Sequence, residues 1–325
     1  MIWKVIQFGG VSILMTFVIA LVLIVSQRPG MVTADKTLAF ADVLSGPQVA
    51  RPKRITIAMR DGALLPASHV PGPGSAAPLL VLIHGSGWHG QQFDGLATRL
   101  GDVAEVIVPD LRGHGYAPKV RGDVAYIGQL EDDLADLIRA RAKPGQKVVL
   151  GGHSSGGGLV IRFAGGDHGA MMDQAILMAP FLHHRAPTMR PNSGGWARPL
   201  LRRIVGLSML NMARIHWLDH LTAIQFAMPE AVLSGPLGHT ATTAYSWRLN
   251  QSFAPRGQWG ADAGALPPFL LLVGAEDEAF LPDEFAPSLG AHTDKGRYVT
   301  VAAAGHLGLV DAPETEAAIR AILSD

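Results

Sequence analysis

Along the chain, short uninterrupted apolar runs alternate with segments whose apolar positions recur every three or four residues. The runs PLLVLIHG (78–85), EVIVPD (105–110), KVVLGG (147–152), AILMAP (175–180), FLLLVG (269–274) and YVTVAA (298–303) predict strands buried on both faces. Two earlier runs, RITIAM (54–59) and LLPASHV (64–70), flank an Asp61-Gly62 turn and predict a hairpin. In YIGQLEDDLADLIRARA (126–142), Ile127, Leu130, Leu134, Leu137 and Ile138 share one helical face, with acidic residues early and arginines late, as the helix dipole favours. PETEAAIRAILSD (313–325) also reads as a helix. Such alternation predicts an α/β fold: a mostly parallel, eight-stranded sheet with helices on both faces and one antiparallel edge. From about 182 to 262 the rhythm breaks into Arg, His, Trp, Met and Pro with no run resembling a central strand. This stretch is expected to be a mainly helical cap inserted above the ligand-binding edge.

The N-terminus follows a different pattern. No charge falls between Lys4 and Arg28, a length that suffices for a membrane-spanning helix of roughly 20 residues. Residues 1–27 are therefore read as a transmembrane anchor. A signal peptide cut near VTA (32–34) and a buried core helix are the alternatives. Lys4 and the amino terminus precede the span, and Arg28 and Lys36 follow it, so the positive-inside rule hardly discriminates. The reading places the domain that follows outside the cytoplasm, on a single-pass membrane anchor, or secretes it if the segment is cleaved. Residues 28–53, broken by Pro29, Gly30, Gly46, Pro47 and Pro52, read as a linker, and 54–325 as the α/β domain.

Composition narrows the function. The 325 residues are 48% hydrophobic, and 27 basic side chains balance 27 acidic ones, which argues against a nucleic-acid partner. The absence of cysteine excludes disulfides and thiolate catalysis.

Gly152-His153-Ser154-Ser155-Gly156 has the form G-x-S-x-G between a predicted strand and a predicted helix. A turn that tight requires glycine two residues to either side of the serine, which selects Ser154; choosing Ser155 would put His153 at a glycine position. Taken alone, the motif is also compatible with a simple turn and an N-cap serine. A serine hydroxyl needs a base, and the base needs an acid to hold it. His306 follows the last predicted strand and opens on the same edge as Ser154. Asp277, just after FLLLVG, is the expected acid, with Glu276 and Glu278 as solvated loop carboxylates. The N–H of Ser155 and that of Ser86, in HGSG (84–87), are the expected oxyanion donors, with Gly87 as the alternative to Ser86. His84 is expected to brace its loop and the Ser86 hydroxyl to bond within its turn.

With LVLIHGSG (80–87), VPDLRGHG (108–115), GGHSSGG (151–157), VGAEDE (273–278) and AAGHLGLVDAPE (303–314) in this order, the chain resembles the α/β-hydrolase superfamily, closest to monoacylglycerol lipase-like and lysophospholipase-like serine hydrolases. The resemblance covers the chain from about residue 54 to its end. It implies Ser154 as nucleophile with Asp277 and His306 completing a triad, and a structural turn at DLRGHG, so that Asp110, Arg112 and His114 take no catalytic part. The branch often carries Met after the nucleophile, where this chain has Ser155.

The expected reaction is cofactor-free hydrolysis of a small-molecule carboxylic ester, lipid-like given the anchor. Transfer of the acyl group to an alcohol, cleavage of amides or C–C bonds, and a non-catalytic binding role are the alternatives. Leu200, Leu201, Ile204, Leu207 and Leu210 predict an apolar helix face beside Arg198, Arg202 and Arg203. That helix is expected to pack on the sheet with a solvated basic side, or else to touch lipid. His216 and His220 stand four apart without an evident third ligand, so no metal is expected.

Overall fold

The computed structural model describes residues 2–32, 38–40, 50–190 and 194–324. All eight runs form strands: β1 (Lys53–Ala58), β2 (Leu64–Val70), β3 (Leu79–Ile83), β4 (Glu105–Pro109), β5 (Val148–His153), β6 (Gln174–Met178), and, beyond the 182–262 stretch, Phe269–Gly274 and Gly296–Val301. Among the described residues they make one eight-stranded sheet. Its spatial order runs from β1 and β2 through β4, β3, β5 and β6 to the last two strands. Only β2 runs against its neighbours, so the antiparallel strand is one in from the edge. Leu79 to Ile83 are wholly buried, as a strand covered on both faces must be.

The helix predicted over 126–142 is α3 in chain order, after α1 (Ile2–Ser26) and α2 (Asp94–Arg99). It spans Gln129–Arg141 and buries Leu130, Leu134, Leu137 and Ile138. Ile127 falls outside it and is exposed, because the chain enters the helix through Gly128 at φ +101°. Helix α4 (Ser155–Ala164) follows β5 directly.

Between β6 and Phe269 the chain is less helical than its composition predicts. Strands β7 (Ala197–Pro199), β8 (Thr222–Phe226) and β9 (Ala244–Ser246) form a small antiparallel sheet among short helices. Helix α5 (Leu201–Met212) packs against α1 rather than the main sheet. Leu207 and Leu210 cluster with Ala20, Ile24, Ala223 and Trp247. The helices touch because position 206 is glycine; a Cβ there would lie 2.5 Å from the Ala20 carbonyl oxygen. Nor is the basic side wholly solvated, since Arg203 is buried and donates to the carbonyls of Ile24 (3.3 Å) and Thr222 (3.1 Å).

Within α1, Gln7–Ser26 is long and apolar enough to cross a membrane, and 11% of that stretch is buried. Much of the expected linker, and Thr33 and Ala34 of the cleavage-site reading, lie outside the described residues.

Candidate active site

Ser154 stands between β5 and α4 at φ +54° and ψ −120°, a conformation that costs a non-glycine residue about 1–3 kcal/mol. Backbone bonds hold it there. Its N–H donates to the Met178 carbonyl at 2.9 Å, and its carbonyl accepts from Gly158 (3.1 Å) and Phe181 (2.9 Å). A Cβ on residue 152 would lie 2.3 Å from the Gly156 oxygen, and one on residue 156 would lie 2.2 Å from the Ile83 oxygen. The second contact is with the neighbouring strand, so the right-hand glycine serves the docking of α4 on β3 as well as the turn.

The expected acid and base meet. His306 Nδ1 lies 2.8 Å from Asp277 Oδ2, and both residues are 1% exposed. Asp277 Oδ1 accepts the N–H groups of Ala279 (2.8 Å) and Phe280 (2.7 Å). Burial alone would raise the Asp277 pKa. The His306 ring and these N–H donors outweigh it and hold the carboxyl below its ordinary value. A carboxylate on Nδ1 fixes the N–H there and leaves Nε2 as the acceptor. Ser154 and His306 line the same two clefts, and among the described residues no hydrogen bond joins them. Such contacts commonly tighten only when substrate binds.

Of the two neighbouring carboxylates, Glu276 is exposed as expected. Glu278 is not simply solvated: its Oε2 accepts the His306 N–H at 2.6 Å and its Oε1 the Ala39 N–H at 2.7 Å.

Ser86 and Ser155 both border a cleft beside Ser154. Their N–H groups have no partner among the described residues. The Gly87 N–H is occupied, donating to the Tyr245 hydroxyl at 2.8 Å. The Ser86 hydroxyl accepts from the Trp196 indole at 3.1 Å instead of bonding within its turn.

A shell of neutral histidines supports the site. His84 Nδ1 donates to the Gly85 carbonyl (2.8 Å) and Nε2 accepts from Leu111 (3.1 Å), bracing the loop as expected. His114 Nδ1 donates to the Arg112 carbonyl, so Nε2 accepts from Tyr245 at 2.7 Å. Arg112 pairs with Asp133 and Asp61, and Asp110 with Arg54. His153, inside the serine motif, accepts from the Gln92 amide on Nδ1 (2.6 Å) and donates from Nε2 to the His306 carbonyl (2.9 Å). Burial pushes His84 down to about 4 and His153 to about 3. His153, Gln92, Glu278, Trp196 and Tyr245 were not foreseen. Only His153, beside the serine at the end of a buried strand, gave a local hint.

Tyr245→Phe should strand two buried groups, the Gly87 N–H and His114 Nε2. The expected cost is about 1–3 kcal/mol, read as a lowered denaturation midpoint; an unchanged midpoint would show that the hydroxyl is dispensable.

His216 and His220 lie in a turn, not on a helix face. The first bonds to Asn211 (2.9 Å) and Asp219 (3.2 Å), and the second to the Trp217 carbonyl (3.0 Å).

Two clefts meet at Ser154. One, about 730 Å³ with part of it open to solvent, includes Leu38, Phe40, Trp88, Met228 and Val232. The other, about 580 Å³ and likewise partly open to solvent, includes Phe181, Ile224, Phe226 and Phe253. Trp196 borders both. The arrangement suits a reacting centre flanked by two apolar arms.

Residues 80–319 match the model of the alpha/beta hydrolase family. An uncharacterised protein of Mycobacterium tuberculosis is 26% identical over 287 residues, covering 76% of this chain and 81% of that protein. A solved thermophilic esterase from Thermogutta terrifontis aligns over 84% of this chain and 98% of its own, with a TM-score of 0.56 and 24% identity. A monoacylglycerol lipase from Paleococcus ferrophilus aligns over 80% and 97%, with a TM-score of 0.56 and 21% identity. At these identities the structural likenesses establish the fold.

Proposed function

The chain belongs to the alpha/beta hydrolase family, and from that premise we propose that it is a serine hydrolase acting on carboxylic esters with apolar arms. In this reading His306 Nε2 takes the Ser154 proton as Oγ attacks the ester carbonyl carbon, and Asp277 stabilises the imidazolium through Nδ1. The carbonyl electron pair moves onto oxygen, which the N–H groups of Ser86 and Ser155 receive. A donor of this kind is worth roughly 10²–10³ in rate. Collapse of the adduct expels the alcohol, protonated by His306. Water, deprotonated by the same ring, then releases the acid and restores Ser154.

The observation that carries the ester preference is the meeting of two apolar clefts at one hydroxyl, since an ester divides into an acyl arm and an alcohol arm at its reacting carbon. The stretch 182–262 acts as the cap in this reading, because Trp196, Ile224, Phe226 and Phe253 come from it. We read α1 as a retained membrane anchor. Cleavage would strip Ala20 and Ile24 from a buried cluster and expose Leu207 and Leu210.

The test is kcat/KM of the full-length protein on p-nitrophenyl esters from acetyl to palmitoyl, with and without alcohol acceptors. Turnover rising beyond acetyl, with free acid as product, is expected. No turnover of any ester would overturn the reading, and ester products formed with the acceptors would make the protein an acyltransferase.

A further inference from the structure

Two described stretches of the chain that follows α1 meet the stretch 182–262 or the first cleft: Gly30 and Met31 bond to the former, and Leu38 and Phe40 line the latter. Gln225 grips both backbone groups of Gly30: its Nε2 donates to the carbonyl at 2.8 Å and its Oε1 accepts the N–H at 3.1 Å. Arg198 donates to the Met31 carbonyl at 3.3 Å. Further on, Leu38 is 6% exposed, and it lines the cleft with Phe40, beside Ser154 and His306. The Phe40 ring lies 5.6 Å from that of Trp196, whose indole holds the Ser86 hydroxyl. Between them, the Ala39 N–H donates to Glu278, and the second oxygen of that carboxylate holds the His306 N–H. One carboxylate therefore ties this segment to the loop that carries the candidate base. A leader merely lying on an apolar surface would need neither the shared carboxylate nor the contact with Trp196.

We propose that Leu38–Phe40 form a wall of the substrate cleft and set how long a hydrocarbon arm can lie beside Ser154, with Glu278 holding that wall in register with His306. The proposal rests on the ester-hydrolase reading for its substrate. It adds that the segment next to the anchor selects that substrate. The chemistry of the wall is aliphatic and aromatic, so its ligand is a methylene chain. Each methylene buried there raises apparent affinity roughly fourfold until the chain meets the wall.

Two variants of opposite sign test it in the full-length protein. Phe40→Ala enlarges the cleft and Leu38→Trp fills it. One readout is kcat/KM over two ester series, one varying the acyl chain and one the alcohol chain, which tells the two arms apart. The other is the Kd of fatty acids and alkan-1-ols of matching lengths, followed by tryptophan quenching, which needs no catalysis. Phe40→Ala is expected to move the preferred length upward and Leu38→Trp downward. Each should change the ratio of long-chain to short-chain binding by roughly tenfold or more, about two methylenes' worth. Length profiles of both variants that coincide with the unaltered protein in the binding series overturn the wall. A protein that binds chains with shifted profiles but hydrolyses no ester keeps the wall and loses the ester reading.

Discussion

Ser154→Ala is expected to lower kcat/KM for a p-nitrophenyl ester by four to six orders of magnitude, roughly the cost of losing a triad nucleophile. His306→Ala should cost about as much, and the double variant hardly more than either single one. A hydroxyl is inert without a base, and the base has nothing to activate without the hydroxyl, so the two act as one unit. Asp277→Asn should be milder in structure yet severe in rate. The carboxylate fixes the proton on Nδ1, and an amide in its place can turn its NH₂ toward the ring and reverse the tautomer. Folding should survive the serine change, since the hydroxyl makes no hydrogen bond among the described residues. Alanine also lacks the bulk to crowd the φ +54° turn further. Additive losses in the double variant would mean that Ser154 and His306 belong to different functions.

Acid should destabilise the fold well above the range in which carboxylates titrate. Burial depresses the pKa of His84 to about 4, of His89 and His153 to about 3, and of His114 well below its ordinary value. A histidine whose pKa is lower in the folded than in the unfolded chain contributes stability that is present above the unfolded value, near 6.5. That stability is lost as pH falls through 6.5 toward the folded value. The structural cause is plain in three of the rings. Protonation would turn an acceptor into a donor at His84 Nε2 facing the Leu111 N–H, at His114 Nε2 facing the Tyr245 hydroxyl, and at His153 Nδ1 facing the Gln92 amide. With four such groups, about 5 kcal/mol should disappear between pH 7.5 and pH 5.5, a little over 1 kcal/mol for each histidine. That is comparable with the whole stability of many domains. Denaturant midpoints at the two pH values measure it. Equal midpoints would show that these rings already titrate normally in the folded protein.

What the sequence revealed and what it hid follow from the range of the interactions. The eight main strands were legible because a strand covered on both faces needs an unbroken apolar run, a local property seen in PLLVLIHG and FLLLVG. The turn at Ser154 was legible because its steric demand falls on residues two positions away. The burial of Asp277 between two exposed or half-buried glutamates separates the three candidates in a way their spacing could not. The three-stranded sheet was missed because Ala197–Pro199 and Ala244–Ser246 are too short to show alternation, and their pairing is set by distant chain. Helix α5 was expected on the main sheet because its apolar face carries no label for its partner, which is α1. Glu278 looked like a solvated carboxylate because its two partners, Ala39 and His306, lie 239 and 28 residues away. Leu38 and Phe40 sit in a segment whose composition reads as linker, and only the folded cleft gives them a place.

The proposed reactivity of the Ser154 hydroxyl depends on a base and an acid that arrive from the far end of the chain. Its most direct measurement is treatment of the folded, full-length protein with a fluorophosphonate, followed by peptide mass mapping. The label is expected on Ser154, with Ser155 and Ser86 unmodified, and its rate of attachment should collapse in His306→Ala. A folded protein that takes no label, or one labelled on another serine at a rate indifferent to His306, would contradict the account.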